Sequence, residues 1–217
     1  ACVFTEAPGE AFIYGSLAAN VRHFRLRGQT LARIHALSKR YTPAADTRRH
    51  AWDEDELLRH TERYLPPSET IVWAEHAELI NWLRDYPRDA ETFGLIHGDF
   101  GQTNYRVAGD VLTAFDFDDC CYHWFAYDLA VIIYPHGWRD EANTLLDALL
   151  AGYADAGGRV SHSTGDLTRF CRLRQLYMFL HFARRWGFRN LSEQQADWFS
   201  QKRDNIARGY HLPPGVT

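Results

Sequence analysis

The sequence is poor in lysine, cysteine and long apolar runs. Among its 24 basic residues only Lys39 and Lys202 are lysines, so the residue that often grips phosphate as a point charge has just two candidates. The four cysteines form no Cys-x-x-Cys pair, which argues against a disulfide framework or a zinc site and favours a reducing, cytoplasmic setting. No apolar run approaches the roughly 20 residues that a membrane-spanning helix needs, so no membrane partner is expected.

The charge balance excludes a second class of partner. A net charge of −4 over 217 residues lacks the basic surface on which non-specific nucleic-acid binding depends. With 46% hydrophobic residues, the chain has the composition of a globular protein, and its length fits one large domain or two small ones.

Apolar residues recur at helical spacing over most of the chain, which predicts a mainly helical domain. The predicted helices cover residues 17–41, 53–64, 68–83, 126–134, 138–155, 165–186 and 192–208. A strand fragment is expected at residues 1–5, a short apolar run at 93–96, and a β-hairpin that pairs residues 105–107 with 111–117. The predicted class is therefore α+β, with a small hairpin beside a polar loop.

Polar side chains concentrate around these short strands, in the stretch from residue 97 to 119. Asp99 precedes Asn104 by five positions, and the second hairpin strand then delivers Asp116. A carboxylate that accepts a hydroxyl proton, followed by an Asn and an Asp that hold a metal, is the phosphoryl-transfer arrangement of kinases. Mg²⁺ suits such a site because it prefers hard oxygen ligands.

Three segments in order resemble one family: HGDFGQTN at 97–104, TAFDFDD at 113–119 and YDLA at 127–130. They are similar to the aminoglycoside phosphotransferase and choline kinase-like family, in which Gly replaces the Arg of the protein-kinase His-Arg-Asp loop. The resemblance covers most of the chain. It implies a protein-kinase-like C-terminal lobe.

The resemblance implies a role for each matching residue. Asp99 would be the catalytic base, or the residue that orients the acceptor hydroxyl. Asn104 and Asp116 would hold Mg²⁺. The backbone at Glu6 and Ala7, which looks like the hinge between two lobes, would contact the adenine of ATP.

Five further residues would surround this centre. By the same resemblance, His97 and Asp128 would support the loop without touching substrate. Asp118, His123 and Tyr127 are candidates for the acceptor pocket. Asp118 is equally readable as a solvated loop acid, and an aromatic cluster of this kind is more often core.

The sequence departs from the family in lacking a phosphate-covering Gly-x-Gly-x-x-Gly loop and a lysine on an early strand. It therefore resembles a C-terminal lobe that begins at the hinge. Residues 1–10 would be the hinge and the end of an N-lobe strand, and residues 11–217 the helical C-lobe. With the N-terminal lobe absent from this chain, full kinase activity is not expected of it alone.

The predicted function is ATP- and Mg²⁺-dependent transfer of the γ-phosphoryl group to a hydroxyl of a small molecule, aminoglycoside-, choline- or homoserine-like. Two alternatives stay open. One is a non-catalytic, pseudokinase-type binding module. The other is a phosphatase of the Asp-x-Asp type, with Asp116 as nucleophile and Asp118 as acid, although no alternating βα pattern follows that motif.

Overall fold

The structure, a computed structural model, describes residues 5–44, 46–159 and 164–212. Within these ranges the helices are α1 (Leu17–Ser38), α2 (Glu56–Arg59), α3 (Thr70–Asp85), α4 (Phe125–Ile133), α5 (Ala142–Asp155), α6 (Thr164–Trp186) and α7 (Glu193–Arg208). The strands are β1 (Phe93–Ile96), β2 (Tyr105–Ala108), β3 (Val111–Ala114) and β4 (Cys121–Trp124). None of the described helices has the length and apolar character to cross a membrane.

The long helix α1 is set by its cap and by one apolar face. The Ser16 hydroxyl accepts a hydrogen bond from the Ala19 N–H at 3.3 Å, which satisfies one of the unpaired donors of the first turn. Phe24 and Leu31 are seven residues apart and both are fully buried. This spacing places them on one side of the helix, which therefore packs into the core.

Two glycines bring α1 and α5 into direct backbone contact. A Cβ atom on Gly28 would lie 2.1 Å from the Leu149 carbonyl oxygen, and one on Gly152 would lie 2.0 Å from the Arg25 carbonyl oxygen. No side chain fits in either place. The two helices therefore approach as closely as their backbones allow, and any larger residue at these positions would force them apart.

The strands form two separate antiparallel pairs. β1 pairs with β4, with Ile96 opposite Cys121. β2 pairs with β3 in a hairpin, with Tyr105 opposite Ala114. The loop between β1 and β2 therefore leaves one pair and enters the other, and β3 ends just before Asp116. These pairs deliver the polar residues 97–119 to one region of the molecule.

The core is largely aromatic around Trp124, which is fully buried. Its ring centroid lies 5.8 Å from that of Trp52, 5.5 Å from Tyr86 and 5.1 Å from Phe93. The indole N–H donates to the Pro87 carbonyl oxygen at 2.7 Å, so the one polar atom of this large side chain is satisfied. This cluster joins β1 and β4 to the segment that follows α3.

The structure corrects the helix predicted over residues 53–64. Only Glu56–Arg59 is α-helical there, and it lies between two 3-10 turns. Asp55 caps the short helix by accepting from the Leu57 N–H at 2.8 Å. At His60 the backbone leaves the helical region with φ −122° and ψ 39°. The acidic residues predicted to form one helix therefore lie on a series of short helical turns.

Strand prediction was wrong in two places. The second hairpin strand, predicted to reach Phe117, ends at Ala114, because Asp116 has φ 64° and cannot extend a strand. Strand β4 was not predicted. The strand expected at residues 1–5 falls largely on residues 1–4, which lie outside the described residues.

Helix bounds shift by a few residues elsewhere. The helix predicted to end at residue 41 ends at Ser38, and the one predicted from residue 138 begins at Ala142. The mainly helical α+β class is confirmed. The division into a hinge at 1–10 and a lobe at 11–217 stays a prediction.

Three buried histidines predict loss of stability in acid. Burial lowers the pKa of His23 and His123 to about 3 and that of His136 to about 4, whereas unfolded histidine titrates near pH 6.5. The unfolded chain takes up protons first as the pH falls, so stability is complete above about pH 6.5 and is lost below it. In urea titrations we expect the free energy of unfolding to fall by about 1.4 kcal/mol per ring between about pH 7.5 and pH 5.5.

Two variants test this assignment. His136→Asn removes one of the three rings and should weaken the pH dependence. His211→Gln replaces an exposed ring and should leave it as it is. An unfolding midpoint that is the same at both pH values would contradict the prediction.

Candidate active site

The loop that follows β1 is tied to the core through the buried carboxylate of Asp128 on α4. One carboxylate oxygen accepts the His97 N–H at 2.9 Å and the other accepts the Gly98 N–H at 2.8 Å. The His35 ring on α1 donates from Nε2 at 3.0 Å. Asp128 is fully buried, and three hydrogen bonds compensate the cost of removing its charge from water. These bonds fix the start of the loop.

The charge states around Asp128 follow from burial and hydrogen bonding. Burial alone would raise the pKa of Asp128, but the hydrogen bonds from His35 and His97 outweigh it and hold the pKa below its usual value. Burial lowers the pKa of His35, so its ring is neutral. The Tyr153 hydroxyl donates to Nδ1 at 2.8 Å, which leaves the ring proton on Nε2, facing Asp128.

Gly98 occupies a place that no other residue fits. Its φ is +81°, and a Cβ atom there would lie 2.3 Å from the Asp119 carbonyl oxygen. A side chain would therefore meet both backbone strain and a steric clash. The glycine of the His-Gly-Asp sequence lets the loop pass directly against the segment after Asp116.

The Asp99 carboxylate is held at both oxygens. Asn104 donates from Nδ2 to Oδ2 at 3.1 Å and to the Asp99 carbonyl oxygen at 2.8 Å. Arg174 on α6 donates from Nη2 to Oδ1 at 2.5 Å. The side chain of Asp99 is 31% exposed, so it is fixed and still reachable. The structure thus brings Asp99 and Asn104 together, as the five-residue spacing predicts.

Asp116 lies in a strained turn beside this loop. Its φ of 64° is unusual for a residue with a side chain, and the residue is exposed. His97 donates from Nε2 to the carbonyl oxygen of Phe115 at 3.1 Å. The His97 ring thus supports the backbone next to Asp116.

A backbone hydrogen bond joins the loop that carries Asp99 and Asn104 to the turn at Asp116. The Phe115 N–H donates to the Asn104 carbonyl oxygen at 3.0 Å, so the bond runs from the residue before Asp116 to the residue that holds Asp99. Because each partner is fixed by a further hydrogen bond, Asp99, Asn104 and Asp116 form one connected unit. Their order along the chain is the order that the sequence pattern predicts for phosphoryl transfer.

Asp116 faces an open cleft of about 930 Å³. The backbone segment with Glu6 and Ala7 lines the same cleft, as do Arg106 and Asp118. The hinge residues proposed from the sequence are therefore placed with Asp116, across one cavity. Glu10 continues this segment and pairs with Val107, its N–H donating to the Val107 carbonyl oxygen at 3.0 Å.

A second, smaller pocket of about 70 Å³ lies beside the start of the loop. Gly98 lines it, together with the three residues predicted for the acceptor: Asp118, His123 and Tyr127. Asp118 lines both cavities, so the cleft and the pocket adjoin. A group in the pocket and a group in the cleft would meet beside the loop that carries Asp99.

The His123 ring presents an unsatisfied donor in this pocket region. Its Nδ1 accepts the Trp124 N–H at 2.8 Å, and burial lowers its pKa to about 3, so the neutral ring carries its proton on Nε2. Nε2 is buried and has no partner among the described residues. The ring also stacks on Tyr127 with 4.4 Å between centroids. Both residues are core and pocket wall at once.

Three residues of the site were not predicted from the sequence. Asp55 and Tyr177 line the small pocket, and Arg174 holds Asp99. Asp55 lies before a short helix, where the sequence indicates a cap and nothing more. Arg174 and Tyr177 belong to α6 and carry no motif. Only the tertiary fold brings them to the loop.

A helical domain with a His-Gly-Asp loop, an Asn five residues after the Asp, and a metal-type Asp after a hairpin defines a kinase-like phosphotransferase. The family model described as the phosphotransferase enzyme family matches residues 1–163. The chain belongs to this family, which confirms the resemblance.

Individual relatives agree with this assignment. The amicoumacin kinase of Bacillus subtilis (strain 168) is 26% identical over 219 residues, covering 95% of this chain and 64% of that protein. The solved structure of amicoumacin kinase hAmiN in complex with AMP-PNP, Ca²⁺ and Ami has a TM-score of 0.83 and 24% identity over 97% of this chain and 65% of that one. A microcompartment-associated aminopropanol kinase has a TM-score of 0.70 and 24% identity over 89% of this chain and 65% of that one.

The similarity to solved structures establishes the fold and does not identify a substrate. At 24% identity, the two solved structures establish a shared kinase-like fold. The chain spans 64% of the Bacillus subtilis protein and 65% of each of the two solved chains. The roles of the site residues stay predictions.

Replacing the buried Asp128 carboxylate should lower the free energy of unfolding, because this group anchors the start of the loop. Asp128→Asn keeps the shape but puts an amide N–H₂ against a donor, so the expected loss of unfolding free energy is about 3–5 kcal/mol. Asp155→Asn is the matched control, because Asp155 forms an exposed ion pair with Arg25 and should lose less than about 1 kcal/mol. Urea titrations of both variants provide the comparison. Equal losses would show that the Asp128 hydrogen bonds do not anchor the fold.

Proposed function

We propose that this chain carries the catalytic loop and acceptor site of a small-molecule kinase, which transfers the γ-phosphoryl group of ATP to a hydroxyl group. The observation that carries the proposal is the position of Asp99. Its carboxylate is fixed by Asn104 and Arg174, on the loop whose Gly98 lines the small pocket. That pocket adjoins the cleft lined by Asp116, because Asp118 lines both.

The donor set fits Mg²⁺ and a nucleotide in the cleft. Asn104 Oδ1 and the carboxylate of Asp116 are hard oxygen ligands, and Mg²⁺ takes one or two such side chains and completes its shell with water and phosphate. Among the described residues Asp116 makes no ion pair and Asn104 Oδ1 accepts only from the Thr103 hydroxyl, at 3.0 Å. Bound Mg²⁺ would offset the charge of the phosphates. The hAmiN structure, described with AMP-PNP and Ca²⁺, supports a nucleotide and a divalent cation here.

The residues of the loop divide the chemistry among them. Asp99 accepts a hydrogen bond from the acceptor hydroxyl. It takes that proton as the new oxygen–phosphorus bond forms and the bond to the β,γ-bridging oxygen breaks, with the electron pair leaving on ADP. Asn104 keeps Asp99 in place. The remaining contribution is positioning and electrostatics, without a covalent enzyme intermediate.

We further propose an acceptor that carries both a hydroxyl and a positively charged nitrogen. The small pocket combines a carboxylate, Asp55, with the aromatic side chains Trp52, Tyr127 and Tyr177. Asp118 and Asp119 add negative charge at the rim. Carboxylates and aromatic faces together favour a cationic group. Acceptors of the aminoglycoside, choline or homoserine type share this chemistry, and the aminopropanol kinase neighbour supports it by its described substrate.

The rival functions fit less well. A phosphatase of the Asp-x-Asp type would place Asp116 at the end of a parallel sheet, whereas the described strands form two antiparallel pairs. A pseudokinase-type module would need no fixed base, whereas both carboxylate oxygens of Asp99 are held here by hydrogen bonds.

Because the chain spans only part of its relatives, the variants below are to be made in the longest natural polypeptide that contains this sequence.

Two substitutions separate proton acceptance from metal binding. Asp99→Asn should lower kcat about 10²- to 10⁴-fold and leave the affinity for Mg·ATP nearly unchanged. Asp116→Asn should abolish Mg·ATP binding, because it removes the charged ligand of the cation. Phosphotransfer kinetics and calorimetric titration measure the two effects.

The control for these variants is Asp110→Asn in the hairpin turn, where Asp110 pairs with Arg22 at the surface. It should change neither quantity. If Asp99→Asn weakens kcat and nucleotide affinity alike, the role assigned to Asp99 is wrong. If phosphate is released from simple phosphomonoesters without nucleotide, the phosphatase is the better description.

The acceptor proposal has its own test. Asp55→Asn keeps an oxygen that can cap α2 but removes the charge, so KM for an amino-alcohol acceptor should rise about tenfold, as a lost interaction of about 1.4 kcal/mol would produce. Asp53→Asn, two residues earlier and exposed, is the matched control. Steady-state kinetics with a panel of amino alcohols and neutral alcohols gives the answer. An equal KM for both classes in the wild type would exclude a cationic subsite.

A further inference from the structure

Arg174 lies outside the sequence motifs and touches the Asp99 carboxylate. Its Nη2 lies 2.5 Å from Asp99 Oδ1, and its Nη1 lies 3.5 Å from the Gly98 carbonyl oxygen. The side chain is only 13% exposed. Among the residues that the structure describes, it is the only cation within 4 Å of Asp99. The guanidinium therefore binds the Asp99 oxygen that Asn104 does not bind.

Arg174 also contacts the walls of the small pocket. It interacts electrostatically with Tyr127, and its guanidinium lies 6.0 Å from the ring centroid of Tyr177. Both tyrosines line the pocket. One side chain thus joins the carboxylate of the loop to the surface on which the acceptor would rest.

We propose that Arg174 is a positioning residue for the phosphoryl transfer: it fixes the orientation of Asp99 and offsets its negative charge. This inference rests on the proposed function. It assigns to α6 a part of the reaction that the motifs in residues 97–119 do not contain.

Both carboxylate oxygens of Asp99 are occupied, which fixes the orientation of the group. Asn104 holds Oδ2 and Arg174 holds Oδ1, so the carboxylate cannot rotate without breaking a charge-assisted hydrogen bond. Each oxygen keeps a lone pair for an acceptor hydroxyl. Losing one of the two bonds would let the group turn, and a small misplacement of a reacting group can cost about 10²-fold in rate.

The positive charge of Arg174 also matters for the incoming phosphoryl group. An unpaired carboxylate next to it would repel its negative oxygens, and this repulsion is stronger in a partly buried site than in water. The pair of Asp99 and Arg174 is neutral overall. A lysine at 174 would keep this compensation but not the planar, two-sided contact of a guanidinium.

Arg172 provides a matched control on the same helix. It binds Glu75 and Glu78 on α3, with Nη2 at 2.6 Å from each, so its guanidinium is engaged away from the loop. Both arginines lie on α6 and each binds a carboxylate, but only Arg174 binds Asp99. A merely structural arginine and a positioning arginine should respond differently to the same substitution.

The first experiment compares Arg174→Gln, Arg174→Lys and Arg172→Gln in steady-state phosphotransfer. Arg174→Gln should lower kcat about 10²-fold with KM for ATP and acceptor nearly unchanged, and Arg174→Lys should lose less. Arg172→Gln should reduce the urea midpoint and leave kcat as it is. Millimolar guanidinium should restore part of the activity of Arg174→Ala. A fall in kcat that tracks the fall in stability across all variants, without rescue, would overturn the proposal.

The second experiment asks whether Arg174 acts through Asp99. In the Asp99→Asn background, Arg174→Gln should cause little further loss of kcat, because two residues that act as one unit are strongly non-additive. Independent, multiplicative losses would mean that Arg174 acts elsewhere, for example directly on the phosphoryl group.

A third readout does not need activity. A crystal structure of Arg174→Gln should show the Asp99 carboxylate released from its wild-type orientation. The hydrogen bond from the Asn104 side chain to the Asp99 carbonyl oxygen should remain. An unchanged Asp99 would overturn the inference even if the wild type is a kinase. If the wild type transfers no phosphoryl group, the proposed function fails, and the orientation of Asp99 in the variant still decides whether Arg174 positions it.

Discussion

The buried carboxylate of Asp128 is the interaction on which the site depends. It collects the N–H groups of His97 and Gly98 and the ring N–H of His35, and so joins α4, α1 and the loop after β1. An isolated charge at this depth would be too costly to keep. The three donors stabilise it in only one geometry, so the carboxylate specifies where the loop begins.

The loop is held further along by a second buried charge, Arg27 on α1. Its guanidinium donates to the Phe100 carbonyl oxygen at 2.7 Å and lies 5.3 Å and 5.2 Å from the ring centroids of Phe24 and Tyr105. Burial lowers the pKa of this guanidinium. Aromatic faces take the place of a carboxylate partner. Asp99 thus lies between backbone groups held by Asp128 on one side and Arg27 on the other, which explains how a loop can present a fixed carboxylate.

Much of this could be predicted from the sequence, because the motif residues are close along the chain. The spacing of Asp99 and Asn104 within one turn of the loop is local, and so is the hairpin that precedes Asp116. The rest is not local. Strand β4 pairs with β1 across 24 intervening residues, and Arg174 reaches Asp99 from a helix 75 positions away in sequence. A single sequence carries no trace of such contacts, since an arginine on a helix face is equally consistent with a solvated one.

The backbone contact of Gly28 with α5 and of Gly152 with α1 has a consequence for how the protein can change. It fixes the two helices that carry His35 and Tyr153, so the frame behind the loop allows almost no variation. The pocket is lined by Gly98 and Tyr127 and also by Asp55, just before α2, and Tyr177 on α6. Asp55 and Tyr177 lie outside the two helices that the glycines bring together, so that backbone contact does not restrict them. Substitutions at these two positions can therefore reshape the pocket without disturbing the packing of α1 against α5.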